Sequence, residues 1–263
     1  MGEGVEHITG KPVVCMLVAA LALGATAAAA PVPGVTKTST TITTAAGKRP
    51  LHMITVTPGA GAHLEAIWLG GGPGRTGTVG SFITRNARSR GAVAGLNGDF
   101  FSLGAKVPSG NLFIHRGRSF LGNSERGAAV FAADGSVDII PGDAQGYRLV
   151  TQGVKEAISG KPVYVDNGRV GSLATLDPYQ RNPAYHRSAV GRLRNGKTAL
   201  VVIGGAGLSA KQFARALVKL GFVEALGMDI DSSANVNWRG ASLNRPGYQR
   251  QIPTGIIVFR PAG

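Results

Sequence analysis

Cysteine and acidic residues are scarce in this chain. Its 263 residues include one cysteine, Cys15, and 14 aspartates and glutamates against 28 lysines and arginines. One cysteine cannot form an intrachain disulfide, so core packing must hold the fold. The basic residues form no run of five or six and no aromatic-flanked basic motif, which argues against specific nucleic-acid binding. The formal charge of +14 indicates attraction to polyanions or serves solubility.

Long apolar runs are also missing. The main apolar run, residues 12–23, follows Lys11 and precedes small residues that end at Ala30. A run this short is typical of a secretory signal peptide and not of a membrane span. Residues 1–30 are therefore predicted to be a signal peptide, and the mature protein to be secreted or to lie in the cell wall. The abundant polyanions there are phosphate-rich wall polymers and acidic glycans, which are the expected partners.

The remaining chain predicts one domain of the α+β class. Residues 31–48 are rich in Thr and Pro and are predicted to be a linker into the first strand, with the domain at residues 49–263. The patterns predict a mixed β-sheet with several hairpins, one β-α-β crossover and two principal helices, the first at residues 79–90. The predicted hairpin turns are Asp134-Gly135, Asn167-Gly168 and Asn195-Gly196.

The crossover has the clearest local signals. A β-branched strand at residues 198–203 precedes a helix with a capping box at Ser209 and Gln212, and a second strand leads to Asp229. A strand-helix-strand connection of this length favours parallel strands. The glycines predicted to end the first strand, Gly204-Gly205, should therefore share a sheet edge with Asp229, and such edges bind ligands in α/β sheets.

Three aspartates directly follow apolar strands, where solubility does not explain a carboxylate: Asp99, Asp229 and Asp231. One interpretation is a cluster of acids around a substrate. The other is Asx-turns and helix caps, in which aspartate is common.

Four motifs are similar, in this order, to those of the phosphodiester glycosidase domain family: Asn97-Gly98-Asp99-Phe100-Phe101, Pro108-Ser109-Gly110, Arg187-Ser188-Ala189-Val190-Gly191, and Ala225-Leu226-Gly227-Met228-Asp229 with Ser232-Ser233. This family includes the lysosomal enzyme that removes N-acetylglucosamine from its phosphodiester link to mannose. The resemblance covers roughly residue 91 to the strand at residues 252–258. It implies a mixed α/β fold and cleavage of a sugar-1-phosphodiester bond.

The resemblance also implies where the site lies. The substrate-binding residues would be Asn97, Gly98, Arg187, Ser188, Ser232 and Ser233, with His186 beside them. Arginine offers a phosphodiester two parallel hydrogen bonds, and carboxylates act at an anomeric carbon. The candidate catalytic acids are Asp229, Asp99 and Asp231. Arg187 could instead form a structural ion pair with one of these aspartates.

The last motif departs from the family pattern, which reads Asp-Gly-Gly-Gly-Ser-Ser or close to it. Here Ile230 and Asp231 stand between Asp229 and Ser232. A β-branched Ile resists the left-handed backbone angles that glycine adopts, so the turn is expected to differ. Either the site is respecialised, with Asp231 as a new acid, or catalysis is lost and binding is retained.

Two further patterns carry less information. Asp229, Asp231, Ser233, Asn235 and Asn237 alternate like the opening of a calcium loop, but Ala234 and Gly240 stand where that loop needs Gly and Glu. Calcium is thus the weaker interpretation, and no other cofactor is expected. His115 and His186 are candidate proton carriers, although histidines often only hydrogen-bond within a core.

These observations predict an exported hydrolase that cleaves a sugar-1-phosphodiester bond in an anionic cell-wall or extracellular glycan. The alternative is a non-catalytic module of the same fold that binds anionic glycans. A basic nucleic-acid binder comes third.

Overall fold

The computed structural model describes residue 1 and residues 30–261, and the chain forms one compact unit from Pro31 onward. Residues 2–29 of the predicted signal peptide lie outside the described residues. Within residues 30–261, no helix has the length and hydropathy that crossing a bilayer requires.

Strands dominate the described part of the chain. The strands are β1 (Val35–Thr44), β2 (Gly47–Val56), β3 (His63–Trp68), β4 (Ala92–Asn97), β5 (Phe113–His115), β6 (Arg118–Leu121), β7 (Asn123–Ser124), β8 (Ala128–Phe131), β9 (Val137–Ile140), β10 (Ala144–Gln145), β11 (Glu156–Ser159), β12 (Val163–Asp166), β13 (Arg169–Val170), β14 (Tyr185–Leu193), β15 (Thr198–Leu208), β16 (Phe222–Gly227), β17 (Val236–Trp238), β18 (Ala241–Ser242) and β19 (Thr254–Phe259). The helices are α1 (Val79–Asn86), α2 (Gly146–Thr151), α3 (Pro178–Arg181) and α4 (Ala210–Lys219).

Three large sheets form the framework. A seven-stranded sheet has the order β1-β2-β15-β14-β16-β12-β13. The β4 sheet has the order β18-β17-β4-β19-β3, the β11 sheet has the order β6-β5-β11-β8-β9, and β10 pairs with β7 separately. Within the described residues, the pairings between neighbouring strands are antiparallel.

One central core joins the inner faces of these sheets. Each sheet contributes buried apolar side chains to it, among them Val202, Leu226, Val236, Ile256, Phe113 and Ile158. Helices cover the outer faces: α4 packs Phe213 on the seven-stranded sheet, α1 packs Ile83 on the β4 sheet, and α2 packs Leu149 on the β11 sheet. Edges of three sheets can therefore meet at one site.

The α+β class is confirmed in its broad form, but the sheet is not mixed. β15 and β16 run parallel, as the crossover predicts, yet β14 lies between them and is antiparallel to both. Their carboxyl ends still reach the same edge. The carbonyl of His186 accepts from the Asp231 amide at 2.8 Å, and the His186 ring bonds the Gly205 carbonyl.

The three hairpin turns are confirmed, because they join β8 to β9, β12 to β13 and β14 to β15.

Residues 35–44, expected within the linker, instead form β1 and pair along the length of β2. Their many threonines are β-branched, which favours a strand over a linker. The strand β15 continues through Leu208 without ending at Gly204, and α1 ends at Asn86. The capping box of α4 is present at Ser209 and Gln212.

Candidate active site

Asn97 ties the β4 sheet to the segment after β16. It is fully buried at the end of β4, its Nδ2 donates to the Asp229 carbonyl at 2.9 Å, and its Oδ1 accepts from the Asn235 amide at 3.0 Å. The Asp229 amide in turn donates to the Gly98 carbonyl at 3.0 Å. Gly98 has no room for a side chain, because a Cβ would collide with Thr254 Oγ1. These bonds fix the backbone on both sides of the site.

Ser188 completes this junction from β14. Its hydroxyl donates to the Asp229 carbonyl at 3.1 Å, and its own carbonyl accepts from the Met228 amide at 3.0 Å. The Asp229 carbonyl therefore accepts from two side chains on different sheets, Asn97 and Ser188. Both residues act on the backbone of Asp229, which leaves its carboxyl group free to face the site.

Asp99 is a buried carboxyl with one half of its hydrogen bonding unused. It is 2% exposed, and its Oδ2 accepts from Ser159 Oγ at 2.8 Å and from the Gly110 amide at 3.0 Å. Oδ1 has no hydrogen-bond partner among the described residues. Burial raises the pKa of Asp99, although the hydroxyl of Ser159 and the charge of Arg126 act in the opposite direction. Gly110 is required here, since a Cβ would collide with Ser159 Oγ.

Asp229 is the second buried carboxyl, and it is 9% exposed. Burial raises its pKa to about 6, against hydrogen bonds from Ser233 and from the Ile230 amide that favour the ionised form. The charge of Asp99 raises the pKa of Asp229 further, and that of Arg250 lowers it. Asp99 is thus near enough to disfavour the ionisation of Asp229, an arrangement that is common in catalytic pairs.

Lys161 brings a cation to the carboxyls from the end of the β11 strand. The residue is 8% exposed, and its Nζ lies 5.0 Å from the centroid of the Phe100 ring. Burial lowers the pKa of Lys161, and the charges of Asp177, Asp99 and Asp229 raise it. Among the described residues, Nζ forms neither a hydrogen bond nor an ion pair. Its charge is therefore available to an anion.

Two arginines flank the same space. Arg126 donates to Ser109 Oγ at 3.0 Å and borders a cavity of about 180 Å³ that also contacts Gly110. Arg250 donates to Ser232 Oγ at 2.9 Å and to Ser233 Oγ at 3.1 Å. With Lys161 they place three cations around two buried acids, a composition suited to an anionic substrate.

Arg187 lies in the scaffold below the site. It is fully buried, its Nε donates to the Leu208 carbonyl at 2.6 Å, and its Nη1 donates to the Tyr164 hydroxyl at 3.1 Å. Nη2 donates to the carbonyls of Gln180 at 2.8 Å and Pro183 at 3.1 Å. The expected fork toward a phosphate is thus occupied by backbone carbonyls, and among the described residues no carboxylate pairs with Arg187.

Asp231 and His186 lie at the rim, away from the buried acids. The Asp231 side chain is 57% exposed, and one carboxylate oxygen lies 3.7 Å from Arg245 Nη2. Arg245 also donates to His186 Nδ1 at 2.6 Å, so the proton of the ring is on Nε2. Burial lowers the pKa of His186, and the charge of Arg245 acts in the same direction. Neither residue contacts Asp99 or Asp229 in the way that an acid or proton carrier at the reacting bond requires.

The alternating residues do not form a calcium loop. Asn235 and Asn237 lie in or beside β17, where Asn235 donates to Ser242 Oγ at 2.8 Å and Asn237 donates to Asn235. Asp231 is directed toward Arg245. These polar groups are engaged with protein partners, so the spacing is explained by a turn followed by a strand.

A cluster far from the two aspartates has the donor types of a metal site. Ligand atoms of Glu65, His115 and Glu156 lie within 4.8 Å of one another, beside a cavity of about 620 Å³. Glu65 Oε2 lies 2.6 Å from Arg90 Nη2, and the Glu156 oxygens accept from His115 and two backbone amides. Charges and lone pairs are already matched, which favours an ion-pair network over a metal. His115 is thereby held away from the candidate site.

The chain is similar to proteins of one known family. The sequence model of the phosphodiester glycosidase family matches residues 90–259. The chain belongs to this family. No curated protein matches the sequence significantly.

Two solved structures share the fold. The catalytic domain of zebrafish N-acetylglucosamine-1-phosphodiester alpha-N-acetylglucosaminidase, auto-inhibited by its pro-peptide, aligns with a TM-score of 0.66 at 18% identity, over 88% of this chain and 85% of that one. A hypothetical protein from Synechocystis aligns with a TM-score of 0.74 at 17% identity, over 86% of this chain. This chain spans 62% of the length of the Synechocystis protein.

The altered family motif is accommodated by a left-handed aspartate. Asp231 has a φ of 54°, in the region that glycine adopts freely, whereas Ile230 keeps a negative φ. Aspartate tolerates this region far better than a β-branched residue does. The turn therefore keeps Ser232 and Ser233 close to Asp229 without the glycines of the phosphodiester glycosidase pattern.

Three cations and a hydroxyl were not among the residues singled out from the sequence: Lys161, Arg126, Arg250 and Ser159. Lys161 gave the one usable signal, since it stands alone in the apolar stretch Ala157-Ile158-Ser159-Gly160-Lys161-Pro162-Val163. Arg126 and Arg250 lie in loops, and nothing in the sequence distinguishes them from the other arginines.

Arg187→Lys is expected to lower the free energy of unfolding by about 3 kcal/mol or more, because a compact ammonium group cannot reach the three separately placed carbonyls that the guanidinium nitrogens reach, and buried polar groups would be left unpaired. Urea unfolding followed by circular dichroism measures this. Arg192→Ala, which removes a partly exposed pair with Glu224, should lower it by less than about 1 kcal/mol. Unchanged stability in Arg187→Lys would contradict the scaffold role.

Asp229→Asn should make the protein more stable at pH 7.5, and by much less at pH 4.5. The folded-state pKa of Asp229 lies above its unfolded value of 3.8, at about 6. Its contribution to stability is thus complete below the unfolded pKa and is lost as the pH rises through about 6, so removing the ionised form should recover about 2–3 kcal/mol at pH 7.5.

Urea midpoints at the two pH values test this expectation. The control is Asp134→Asn, because hydrogen bonds from Ser136 lower the pKa of Asp134 and its replacement should reduce stability at pH 7.5. An Asp229→Asn variant that is less stable than the wild type at pH 7.5 would show that Asp229 is not strained by burial.

Proposed function

We propose that this chain is an exported hydrolase that cleaves the bond between an anomeric carbon and the phosphate of a sugar-1-phosphodiester. In this reaction water supplies a hydroxyl group to the anomeric carbon. The phosphate leaves as a phosphomonoester and takes up the other proton of the water. Membership of the phosphodiester glycosidase family supports the reaction class.

One observation supports this function most directly: opposite charges in the site approach each other without forming ion pairs. The charges of Arg126 and Arg250 lower the pKa of Asp99 and of Asp229, respectively. The charges of both aspartates raise the pKa of Lys161. Yet no ion pair in the described part of the chain joins any of them to Asp99 or Asp229. Buried charges that remain apart are costly unless a ligand completes them. An anionic sugar derivative would do so.

The two carboxyls differ in what they can reach. Asp229 is the more exposed of the two, and we assign it to the anomeric carbon as nucleophile or as base for the attacking water. Asp99 accepts hydrogen bonds from Ser159 and Gly110 and so positions the loop that contains Gly110. Its charge also raises the pKa of Asp229. Asp231 is left out of the chemistry because it is exposed and directed toward Arg245.

The three cations of the site are proposed to bind the phosphate group of the substrate. The leaving phosphomonoester is an anion, so its departure depends more on positive charge than on a strong proton donor. Lys161 is the principal candidate, since among the described residues its ammonium group contacts the Phe100 ring but forms no hydrogen bond or ion pair, with Arg126 and Arg250 at the sides. Ser232 and Ser233 orient Arg250 and do not need to contact the substrate themselves.

The proposed setting is outside the cytoplasm. The apolar run and small residues within positions 12–30 support export. The formal charge of +14 supports an anionic cell-wall or extracellular glycan as substrate, because long-range attraction concentrates such polymers near the protein.

Asp229→Asn should abolish turnover while the fold is retained, because Asn matches Asp in size but carries no charge beside a developing oxocarbenium ion. The loss expected is on the order of a hundredfold or more in kcat. A panel of sugar-1-phosphodiesters assayed with the purified mature protein measures it.

Asp231→Asn is the matched control and should retain wild-type kcat within a factor of about three. Equal losses of kcat in both variants would show that Asp231 is also a catalytic acid. A wild-type protein that binds the panel tightly without turnover would favour the non-catalytic glycan-binding module.

Lys161→Met should reduce kcat/KM for a sugar-1-phosphodiester about tenfold to a hundredfold more than for an uncharged nitrophenyl glycoside of the same sugar, because only the former offers an anion to Nζ. Lys155→Met, an exposed lysine on the loop before β11, should affect neither substrate. Parallel losses on both substrates would place Lys161 in the scaffold.

A further inference from the structure

Two tyrosines form an aromatic surface beside the candidate site. Tyr179 lies on α3 and is 76% exposed, and Tyr185 begins β14 and is half-buried. Their ring centroids are 6.1 Å apart with an angle of 57° between the planes. Neither ring belongs to the apolar cores of the fold.

A backbone hydrogen bond and a charge interaction place the pair beside the candidate site. Asp177, which caps α3, is close enough to Lys161 to raise the pKa of that lysine. On the other side, Tyr185 directly precedes His186, whose carbonyl accepts from the Asp231 amide at 2.8 Å. The tyrosines therefore extend between the proposed phosphate cation and the turn that carries Asp229.

Arg187 holds this surface in place. Its Nη2 donates to the carbonyls of Gln180 and Pro183, which lie in the segment between the two tyrosines, and its guanidinium lies 5.7 Å from the Tyr185 ring centroid. A segment fixed in this way loses little conformational entropy when a ligand binds.

We propose that Tyr179 and Tyr185 bind a sugar ring on the aglycone side of the phosphate, so that the substrate is an oligosaccharide or a polymer. The inference rests on the function proposed above. An aromatic face packs against the apolar face of a sugar ring, and the phenolic hydroxyl meets its polar edge. The aglycone side is assigned because Asp177, whose charge acts on Lys161, caps α3, the helix that contains Tyr179, and Lys161 is the proposed phosphate cation.

Two diesters of N-acetylglucosamine 1-phosphate test the proposal, one with a methyl aglycone and one with a β-1,4-linked N-acetylglucosamine tetrasaccharide aglycone. Tyr179→Ala should raise KM for the tetrasaccharide diester about three- to tenfold, with kcat unchanged and no effect on the methyl diester. Tyr179→Phe keeps the ring and should resemble the wild type. Tyr147→Ala removes an equally exposed tyrosine from α2 and should change neither substrate.

A second measurement separates this subsite from the proposed reaction. Calorimetric titration of the tetrasaccharide diester into Asp229→Asn, with and without Tyr179→Ala, should show weaker binding by the same factor even when no variant is active. Equal KM changes on both diesters, or unchanged affinity in the titration, would overturn the aglycone subsite. So would an effect confined to diesters lengthened on the sugar side of the phosphate.

Discussion

The hydrogen bonds of Asn97 are the constraint on which the site depends. One side chain donates to the Asp229 carbonyl and accepts from the Asn235 amide, so it joins β4, the segment after β16 and the entry to β17. An Asp in its place would lose the donor, and a larger side chain would not fit at a fully buried position. The position of both aspartates follows from this junction, since Gly98 bonds Asp229 and leads directly to Asp99.

Holding two acids in the interior has a thermodynamic consequence. The usual arrangement for a buried carboxylate is an ion pair, and the chain uses it elsewhere, with Arg90 on Glu65 and Arg192 on Glu224. Asp99 and Asp229 receive only neutral donors and distant charges, which leaves the pKa of both raised. Stability is therefore given up at this site, as is common where side chains are placed for chemistry and not for the fold.

The sequence predicted the parts of the fold that depend on local signals. The turns at Asn167-Gly168 and Asn195-Gly196 and the capping box at Ser209 require only neighbouring residues, and each is present. By contrast, β14 lies between β15 and β16 because of long-range strand pairing, which no local pattern predicts. The same holds for β1: its residues are mostly exposed, so no alternation of apolar and polar residues predicts this strand, which depends on its pairing with β2.

The residues of the candidate site also differ in how far local sequence patterns indicate their roles. Asn97, Asp99 and Asp229 follow apolar strands, so both their type and their position were unusual, and the structure brings them together. Arg187 was equally conspicuous, but its place relative to the site depends on where the carbonyls of Leu208, Gln180 and Pro183 lie. A charged residue in an apolar strand thus indicates that something polar is nearby. It does not distinguish a substrate from the backbone.

The scarcity of acids in the composition bears on the cations of the site. Several of the 14 acidic residues are engaged in pairs or turns: Glu65, Glu156 and Glu224 bond arginine or histidine, Asp134 accepts from Ser136, and Asp177 caps α3. With 28 basic residues to neutralise, few carboxylates remain for Lys161 or Arg126. In a chain with balanced charge, a flexible surface acid would be available to fold over such a lysine and screen it. The excess of basic residues therefore bears on more than the proposed attraction of a polyanion, because among the described residues it also leaves the proposed phosphate cation without an ion-pair partner.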